Sequence, residues 1–455
     1  MFHLAFFHRA SLRTLTVVAS LGTAWCLPLR SGEAMQAPTP AAHDTTPQDL
    51  MTAPTPSACL QIAGALFGKD MRTLHRAEVN ANYRTNAATC GRRFDPATVD
   101  SAQLWSATAL YQIGHLDREY FIALDRTITV AKTRPDSAQA ITQAIMSLMG
   151  SHDVDETPSW IERAEYYLEQ LERIPHVHAT QLLTVHETLT WLYPPGDPHR
   201  AMHLAGAERA VRAMSRASQR TPEGREAMCG FDNLKAIAAA DADDFAGAVS
   251  AMDHCLSLWP KANAKHGSNQ EEPSTWRKTR QQYAFVGQHV PAELAAPYWL
   301  NAPDGMTKAD LSQPVTLVEF TWTGCPECHK GYPALRSIYT KYRDRGVHPM
   351  FMTYLFQQTP QHDTATAEQE LAYDEHFWRD DKPIPFPIGV LAAQDTATRA
   401  RGEAYVPLFQ TYAVIGAPTY YVIDRHGIIR YVQSGHRKDL EAKLSGIIER
   451  LLRES

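Results

Sequence analysis

The sequence predicts a multidomain protein in which an all-α, helical-repeat-like region is followed by an α/β region. Between residues 58 and 260, apolar residues recur at intervals of three and four, which is the spacing of one helix face. From Pro314 onward, short runs rich in β-branched and aromatic residues alternate with helical stretches. The chain has 455 residues, of which 44% are hydrophobic, so it is long enough for two or three domains.

Charge and cysteine content exclude two classes of protein. The chain has 44 Lys and Arg residues against 50 Asp and Glu residues, so it lacks the basic excess of a generic nucleic-acid-binding protein. Its seven cysteines are too few for a small scaffold built on disulfides. They are sufficient for one or two structural bridges and one reactive pair.

The first 34 residues have the layout of a secretory signal peptide. Two arginines precede an apolar run from Leu15 to Leu27, and small residues follow it near a cleavage point. We therefore expect residues 1–34, including Cys26, to be removed and the mature protein to reside in the periplasm, where disulfides form. An uncleaved membrane anchor is the alternative, although the run is shorter than the roughly 20 apolar residues that span a bilayer. No later segment is apolar for long enough to do so.

Composition also predicts the order of the remaining segments. Residues 35–57 contain five prolines among Thr and Ala, which predicts a disordered tether. The helical domain then spans residues 58–260. A polar, loop-like stretch predicts a linker over residues 261–290, and residues 291–455 form the C-terminal domain.

The helical domain is expected to consist of paired helices. One helix starts with Thr157 as N-cap, and another runs from Asp244 to Trp259 with residues 234–240 as its antiparallel partner. The second pair resembles a tetratricopeptide-type hairpin, but the sequence has no clean 34-residue period. Such a domain either offers a concave surface to a protein partner or orients the domain that follows.

Four cysteines of the helical domain are candidates for structural disulfides. The pairing of sequence neighbours joins Cys59 to Cys90 and Cys229 to Cys255. Four cysteines allow three pairings, and buried free thiols are the alternative.

No metal site is predicted. His186 and Glu187 begin like the motif of a helical zinc site, but Thr190 stands where the second His ligand is required. His176 and His178 are better explained as solvated loop residues. The C-terminal domain has a Cys pair but no second close Cys/His pair that would complete a zinc site.

A Cys-x-x-Cys motif stands at the start of a predicted helix in the C-terminal domain. A buried strand is predicted over residues 315–322, and Cys325-Pro326-Glu327-Cys328 then leads into a helix that ends near Arg343. The helix N-terminus carries about half a positive charge, which favours the thiolate form of the first cysteine. Two intervening residues let the second sulfur reach the first, an arrangement typical of dithiol redox chemistry.

Further elements complete a β-α-β-α-β-β-α order, which is that of a thioredoxin-like sandwich. The predicted strands cover residues 347–354, 420–423 and 428–433, with an additional, weaker strand at residues 386–390 after an insert, and the terminal helix covers residues 438–452.

Three motifs occur in the order found in one known family: Glu319 in the first strand, the dithiol, and the segment Gly416-Ala417-Pro418-Thr419. The C-terminal third of the chain therefore resembles thioredoxin-like proteins of the TlpA/ResA type. Proteins of this type are exported thiol-disulfide oxidoreductases. Gly324 departs from the family, which usually has Trp directly before the first cysteine. This difference changes the surface that a substrate would meet.

The resemblance implies a role for each of these residues. Cys325 would be the attacking thiolate, and Cys328 the buried thiol that resolves the mixed disulfide. Glu319 would exchange a proton with Cys328. Pro418 would be a cis-proline opposite the dithiol, leaving the backbone of Ala417 free to pair with an extended substrate segment. The candidate substrate contacts are Ala417, Thr419, Pro326 and Trp322.

We expect exchange with protein thiols and disulfides, without a metal or organic cofactor. Glu327 adds negative charge that opposes thiolate formation at Cys325, which favours a reducing enzyme over a strongly oxidising one.

Three other functions fit part of the sequence. Residues 325–329 also match the Cys-x-x-Cys-His attachment motif of c-type haem, with His329 as axial ligand, although such a site does not need the strand or the Pro418 segment. A peroxidase is not expected, because Trp322 stands where peroxiredoxins have Thr or Ser. The remaining alternative is an interaction protein with a vestigial dithiol, in which the helical domain performs the function.

Overall fold

The computed structural model describes residues 46–70, 76–131, 137–149, 158–175, 177–259, 274–357, 359, 365–393 and 406–454. The predicted signal peptide and the first part of the predicted tether, up to residue 45, lie outside these residues. The described residues fall into two compact units along the chain, one ending at Val185 and one beginning at His186.

The first unit is helical throughout its described part. Neighbouring helices along the chain pack on each other, and Cys59 is joined to Cys90 by a disulfide with a Cα–Cα distance of 5.9 Å. The helices are α1 (Pro47–Thr52), α2 (Pro56–Asp70), α3 (Arg76–Gly91), α4 (Leu104–Ile113), α5 (Asp117–Ala131), α6 (Ser137–Met149) and α7 (Pro158–Glu172), and α8 (Ala179–Thr190) crosses the boundary between the units.

The predicted disorder of residues 35–57 is wrong for residues 46–57. Helix α1 buries Leu50, which is 2% exposed, in a core with residues of α2 to α4. The Arg93 guanidinium donates hydrogen bonds to the carbonyl of Leu50 and, at 2.8 Å, to that of Ala53. This buried apolar residue and these bonds offset the entropy cost of ordering a proline-rich segment.

The second unit begins with helices whose ends have clear caps. Asp244 caps α12 by accepting a hydrogen bond from the backbone of Gly247 at 2.8 Å, and Thr221 caps α11 in the same way at Gly224. Cys229 of α11 forms a disulfide with Cys255 of α12. The helices are α9 (Pro198–Ala213), α10 (Arg216–Gln219), α11 (Pro222–Asp241), α12 (Phe245–Ser257) and α13 (Ser274–Ala284).

Helix α13 lies within residues 261–290, where the sequence predicts a linker. Trp276 and Tyr283 of this helix are buried, and Gln282 donates a hydrogen bond to the carbonyl of Ala413 at 3.0 Å. The sequence did not predict this short helix because the segment is mostly polar. A few large aromatic residues form its buried face.

The predicted α/β fold is confirmed in the rest of this unit, which contains one mixed six-stranded sheet. The strand order is β1-β4-β3-β2-β5-β6; β2, β3 and β4 are parallel, while β1, β5 and β6 are antiparallel to their neighbours. The strands are β1 (Tyr298–Leu300), β2 (Val315–Phe320), β3 (Val347–Tyr354), β4 (Ile388–Leu391), β5 (Thr419–Asp424) and β6 (Ile429–Ser434).

Different helices cover the two faces of the sheet. Val315 and Leu317 of β2 face a core that includes residues of α14 and α17, whereas Val318 and Phe320 face a core that includes residues of α11, α12 and α13. This alternation follows from the two-residue period of a strand. The remaining helices are α14 (Pro326–Tyr342), α15 (Ala367–His376), α16 (Pro407–Thr411) and α17 (Leu440–Glu454), and a π-helical turn (Phe377–Asp381) follows α15.

Candidate functional site

The cysteine pair occupies the junction between β2 and the N-terminus of α14. Cys325 is the N-cap of the helix, Pro326 its first residue, and Cys328 lies in its first turn. The two cysteines form a disulfide with a Cα–Cα distance of 5.3 Å, and the backbone N–H of Cys328 points at the Cys325 sulfur at 3.1 Å. Cys325 is 3% exposed and Cys328 fully buried, so a partner can reach the pair only through Cys325.

The segment before β5 lies against this disulfide. The Ala417–Pro418 peptide bond is cis, and the Ala417 carbonyl oxygen is 3.6 Å from the Cys325 sulfur. The Thr419 side chain is fully buried, and its hydroxyl donates to the Gly416 carbonyl at 2.7 Å. Ala417 is therefore placed beside the reactive sulfur, whereas Thr419 supports the turn from inside and does not face a substrate.

The other two candidate substrate contacts lie at the surface around the pair. Pro326 is exposed, and Trp322 is partly exposed with its ring 5.7 Å from that of Phe356. A side chain at Gly324 would meet the indole of Trp322 at 3.4 Å. The tryptophan therefore occupies space beside the position where the family usually has one.

Glu319 lies beneath the helix that carries the cysteines. It is 1% exposed and shares the face of β2 occupied by Val315 and Leu317, which is the face packed on α14. Burial raises the pKa of its carboxyl well above the usual range. Neither of its carboxyl oxygens has a hydrogen-bond partner among the described residues. A buried acid of this kind can gain or lose a proton in response to a nearby thiol.

Glu327 has a cationic neighbour that the sequence argument did not consider. Its carboxylate lies 3.2 Å from the Lys330 ammonium, one turn along α14, and both side chains are little more than a quarter exposed. Lys330 offsets part of the negative charge that Glu327 brings to the dithiol.

The histidine of the Cys-x-x-Cys-His motif, His329, has another role in this fold. His329 is half-buried, and its Nε2 hydrogen-bonds the Thr323 carbonyl at 2.7 Å. Burial lowers the pKa of the imidazole, which favours its neutral form. The histidine therefore ties the first turn of α14 to the segment before Cys325.

Sequence reasoning missed two buried acids on α15. Asp374 is 3% exposed and accepts a hydrogen bond from the Thr323 hydroxyl at 3.3 Å, two residues before Cys325. Burial, together with the nearby Glu370 charge, raises the pKa of Asp374 to about 8. Glu370 accepts the backbone N–H groups of Phe356 at 2.7 Å and Gln357 at 2.5 Å. The only available signal was the spacing of Glu370 and Asp374 by four, which places both on one helix face.

The described residues include neither a candidate metal site nor a helix that could cross a membrane. They contain no group of three or more His, Cys, Asp or Glu side chains arranged to hold a metal ion. None of their helices has both the length and the apolar composition needed to cross a membrane.

The C-terminal region is similar to proteins that are already known. Residues 293–448 match the Redoxin family model. The crystal structure of a thioredoxin-like superfamily protein is 25% identical over 37% of this chain and 98% of that chain, with a TM-score of 0.30. A thiol-disulfide isomerase from Corynebacterium glutamicum is 26% identical over 36% and 96% of the two chains, with a TM-score of 0.29.

A third solved structure covers a similar share of the chain. The thioredoxin domain of a thiol-disulfide oxidoreductase from Bacteroides vulgatus is 16% identical over 36% of this chain and 97% of that chain, with a TM-score of 0.25. A search of curated proteins finds no match to this sequence.

Proposed function

We propose that the protein is an exported enzyme that reduces disulfides of partner proteins, starting from the finding that its C-terminal region is a thioredoxin-like oxidoreductase domain matching the Redoxin model. One observation carries the proposal. The Cys325–Cys328 disulfide sits at a helix N-terminus, and Ala417 of the cis peptide bond lies directly against its outer sulfur.

The first step is attack by Cys325 on a partner disulfide. The N-terminus of α14 and the Cys328 N–H group stabilise negative charge on the Cys325 sulfur, which makes it the attacking thiolate. A bond forms between Cys325 and one partner sulfur, and the second partner sulfur leaves as a thiolate that takes a proton from solvent.

The second step releases the partner. The thiolate of Cys328 attacks the Cys325 sulfur, so that the Cys325–Cys328 bond forms and the bond to the partner breaks. The partner leaves as a dithiol with two more electrons, and the enzyme becomes the disulfide seen in the structure. A separate dithiol donor must then reduce the enzyme for another cycle.

Glu319 accepts the proton that Cys328 loses in the second step. Burial of both groups disfavours the charged forms of each, so a proton is exchanged between them more readily than either could lose it to water. Burial raises the pKa of the Glu319 carboxyl, which makes it a better proton acceptor than an exposed carboxylate.

The partner segment docks beside Ala417 in an extended conformation. Pro418 has no N–H group, and the Ala417 carbonyl oxygen before it lies 3.6 Å from the Cys325 sulfur. An extended strand that brings its own sulfur to Cys325 would meet the Ala417 backbone first. Trp322 and Pro326 would complete the contact surface.

The expected compartment and direction come from the sequence. The positively charged and apolar start of the chain supports export to the periplasm, where protein disulfides form. Glu327 disfavours a strongly oxidising couple, although Lys330 reduces its effect. A fusion of residues 1–34 to a reporter that is active only after export tests the compartment.

Trapping tests the assignment of the two cysteines. Cys328→Ala should accumulate partners linked to Cys325 by a disulfide, because the resolving step is lost. Adducts should disappear on reduction and should be absent from the Cys325→Ala/Cys328→Ala control. If the single variant yields no adducts while the wild-type chain reduces insulin, the roles of the cysteines are wrong. If the wild-type chain has no reductase activity, the proposed reaction is wrong.

A further inference from the structure

Three buried oxygen atoms lie close together below the dithiol. They are both carboxyl oxygens of Glu319 and the hydroxyl oxygen of Tyr420, and none has a hydrogen-bond partner among the described residues. Glu319 and Tyr420 are direct partners across the β2–β5 pair, so their Cβ atoms are neighbours on the same face of the sheet. Unpartnered polar atoms at such a depth are normally satisfied by an ordered water.

The hydroxyl of Tyr420 extends from this cluster toward α14. A Cβ atom built on Gly331 would lie 2.5 Å from that hydroxyl and 3.8 Å from Nδ1 of His436. Because Gly331 follows Cys328 by three residues, it lies on the same side of the helix, one turn further along. The missing side chain leaves room for the phenol, and the imidazole of His436 lies next to the same point.

His436 extends this series of polar groups to the surface. Tyr420 is fully buried, whereas His436 is partly exposed. Two other ionisable groups of α14 face Tyr420. Tyr332 already contacts the Thr321 hydroxyl and the Trp378 indole N–H, each at 3.4 Å, and Glu327 pairs with Lys330. Tyr332 is engaged by these contacts, whereas Glu327 uses only Oε1 for Lys330 and its Oε2 has no hydrogen-bond partner among the described residues. The direction toward His436 rests on the position of its Nδ1 next to the Tyr420 hydroxyl, around the space that Gly331 leaves open.

We propose that Tyr420 and His436 conduct the proton between buried Glu319 and solvent. This inference rests on the proposed function, in which Glu319 takes the proton of Cys328. Glu319 has almost no exposure and cannot return that proton to water directly. A hydroxyl that receives one proton while it donates another carries the charge without becoming ionised.

The proton balance of the resolving step is then complete. The Cys328 thiol gives its proton to the Glu319 carboxylate, and the resulting thiolate forms the bond to Cys325 as the partner thiolate leaves. Glu319 passes the proton through a bridging water to the Tyr420 oxygen. The Tyr420 hydroxyl proton then passes through a second water to His436 and on to solvent, because the Tyr420 hydroxyl and His436 Nδ1 do not bond to each other directly. No electrons move in this relay, and the opposite direction of thiol exchange uses it in reverse.

The test isolates the resolving step in the full-length chain. Reduced enzyme reacts with Ellman's reagent in two phases, in which Cys325 releases the first thionitrobenzoate and Cys328 releases the second. Thionitrobenzoate is a good leaving group, so the loss of the Cys328 proton limits the second phase. Tyr420→Phe should slow the second phase about tenfold at pH 7 and leave the first phase unchanged, a loss worth about 1.4 kcal/mol.

Two further variants separate a proton relay from a structural effect. His436→Gln should slow the same phase, and added imidazole should restore its rate. Tyr421→Phe is the matched control, because that phenol lies on the opposite face of the sheet, where its hydroxyl contacts the Tyr412 carbonyl. It should leave both phases unchanged, and the glutathione equilibrium of the cysteine pair should be the same in all three variants.

The possible results distinguish the inference from the function on which it rests. A second phase that keeps its wild-type rate in either Tyr420→Phe or His436→Gln overturns the relay, because the proton must pass both residues. If Tyr420→Phe fails to fold, His436→Gln alone tests the relay. A slower second phase in His436→Gln that added imidazole does not restore overturns the relay. A wild-type enzyme that shows no second phase contradicts the role of Cys328, and therefore the proposed function itself.

Discussion

Arg437, in the turn after β6, donates a hydrogen bond to Asp241 at the end of α11 at 2.6 Å, across 196 residues of sequence. Both side chains are less than a fifth exposed. Lys443 adds a bond to the Asp241 carbonyl at 2.9 Å, and the Arg200 guanidinium lies 3.7 Å from the Asp241 carboxylate. Three cations, two from the C-terminal segment and one from α9, therefore meet at the end of the helix that supports the sheet.

The Asp241 cluster should stabilise the second unit more than a surface ion pair does. Asp241→Asn removes the carboxylate shared by Arg437 and Arg200, while Asp439 still pairs with Arg437. It should lower the free energy of unfolding by about 1–3 kcal/mol. Urea unfolding followed by fluorescence measures this loss. Asp253→Asn is the matched control, because its pair with Arg280 is more than a third exposed on both sides and should contribute about 0–1 kcal/mol. Equal losses in the two variants would contradict the argument.

Helices α11 to α13 should be required for a stable redox domain. They cover the face of the sheet that carries Val318 and Phe320, and the α12 residue Phe245 packs edge-on against Tyr431 at 6.0 Å. A fragment of residues 186–455 keeps this cover, whereas a fragment of residues 291–455 exposes a wide apolar surface. The longer fragment should unfold cooperatively, and the shorter one should aggregate or unfold at a much lower temperature.

Calorimetry and light scattering on both fragments check this expectation. A fragment of residues 261–455, which keeps α13 but lacks α11 and α12, is the intermediate control and should lie between them. Equal stability of the longest and shortest fragments would mean that α11 to α13 do not contribute to the stability of the redox domain.

Local features of the redox site were predictable from the sequence. The spacing of Cys325 and Cys328, the proline between them and the preceding strand are short-range properties, and β3 ends where the pattern indicated. The position of Glu319 beneath the helix follows from strand alternation together with the resemblance. Each of these features needs only a few neighbouring residues to define it.

Long-range relationships were not predictable in the same way. An apolar helix face shows that α11 and α12 are buried, but not that they pack on a sheet whose first strand begins about 40 residues after α12. Asp374 meets Thr323 across 51 residues, through the packing of an insert whose composition resembles a surface loop. The burial of Leu50 depends on Arg93, which no pattern near the proline-rich segment indicates.

Asp374 should make the protein less stable as the pH rises. Its pKa is about 8 in the folded chain against about 3.9 when unfolded, so the folded state binds the extra proton between these values. The contribution of this group to the free energy of unfolding is therefore greatest below about pH 4, and it is lost as the pH rises toward the folded pKa of about 8. Asn has the shape of Asp but does not ionise. In Asp374→Asn, the loss of unfolding free energy with rising pH should therefore be smaller by a few kcal/mol.

Unfolding free energies at pH 5 and pH 8 provide the measurement. The wild-type chain should lose more stability between these pH values than Asp374→Asn does. Asp380→Asn is a suitable control, because that carboxyl is exposed and its pKa is lowered by Arg379, so it gives no such decline. The same pH dependence in wild type and Asp374→Asn would show that Asp374 is not buried as a neutral acid.

Gly331 should tolerate no side chain while Tyr420 keeps its hydroxyl. A Cβ atom at this position would lie 2.5 Å from the Tyr420 oxygen and 3.4 Å from Cδ2 of Leu440, and the stiff phenol in a packed core cannot move away freely. Gly331→Ala gains up to about 1 kcal/mol of helix propensity. The clash should exceed this gain, for a net loss of about 1–2 kcal/mol.

A double-mutant cycle with Tyr420→Phe tests the cause of that loss. Removing the phenol oxygen removes the closest contact, so Gly331→Ala should be neutral or stabilising in the Tyr420→Phe background, and the two changes should couple by at least about 1 kcal/mol. Gly446→Ala on α17 is the matched control, because no atom lies within 4 Å of its added Cβ and the helix should simply become more stable. Additive effects of Gly331→Ala and Tyr420→Phe would place the strain elsewhere, for example at Leu440, and Leu440→Ala in the Gly331→Ala background would then relieve it.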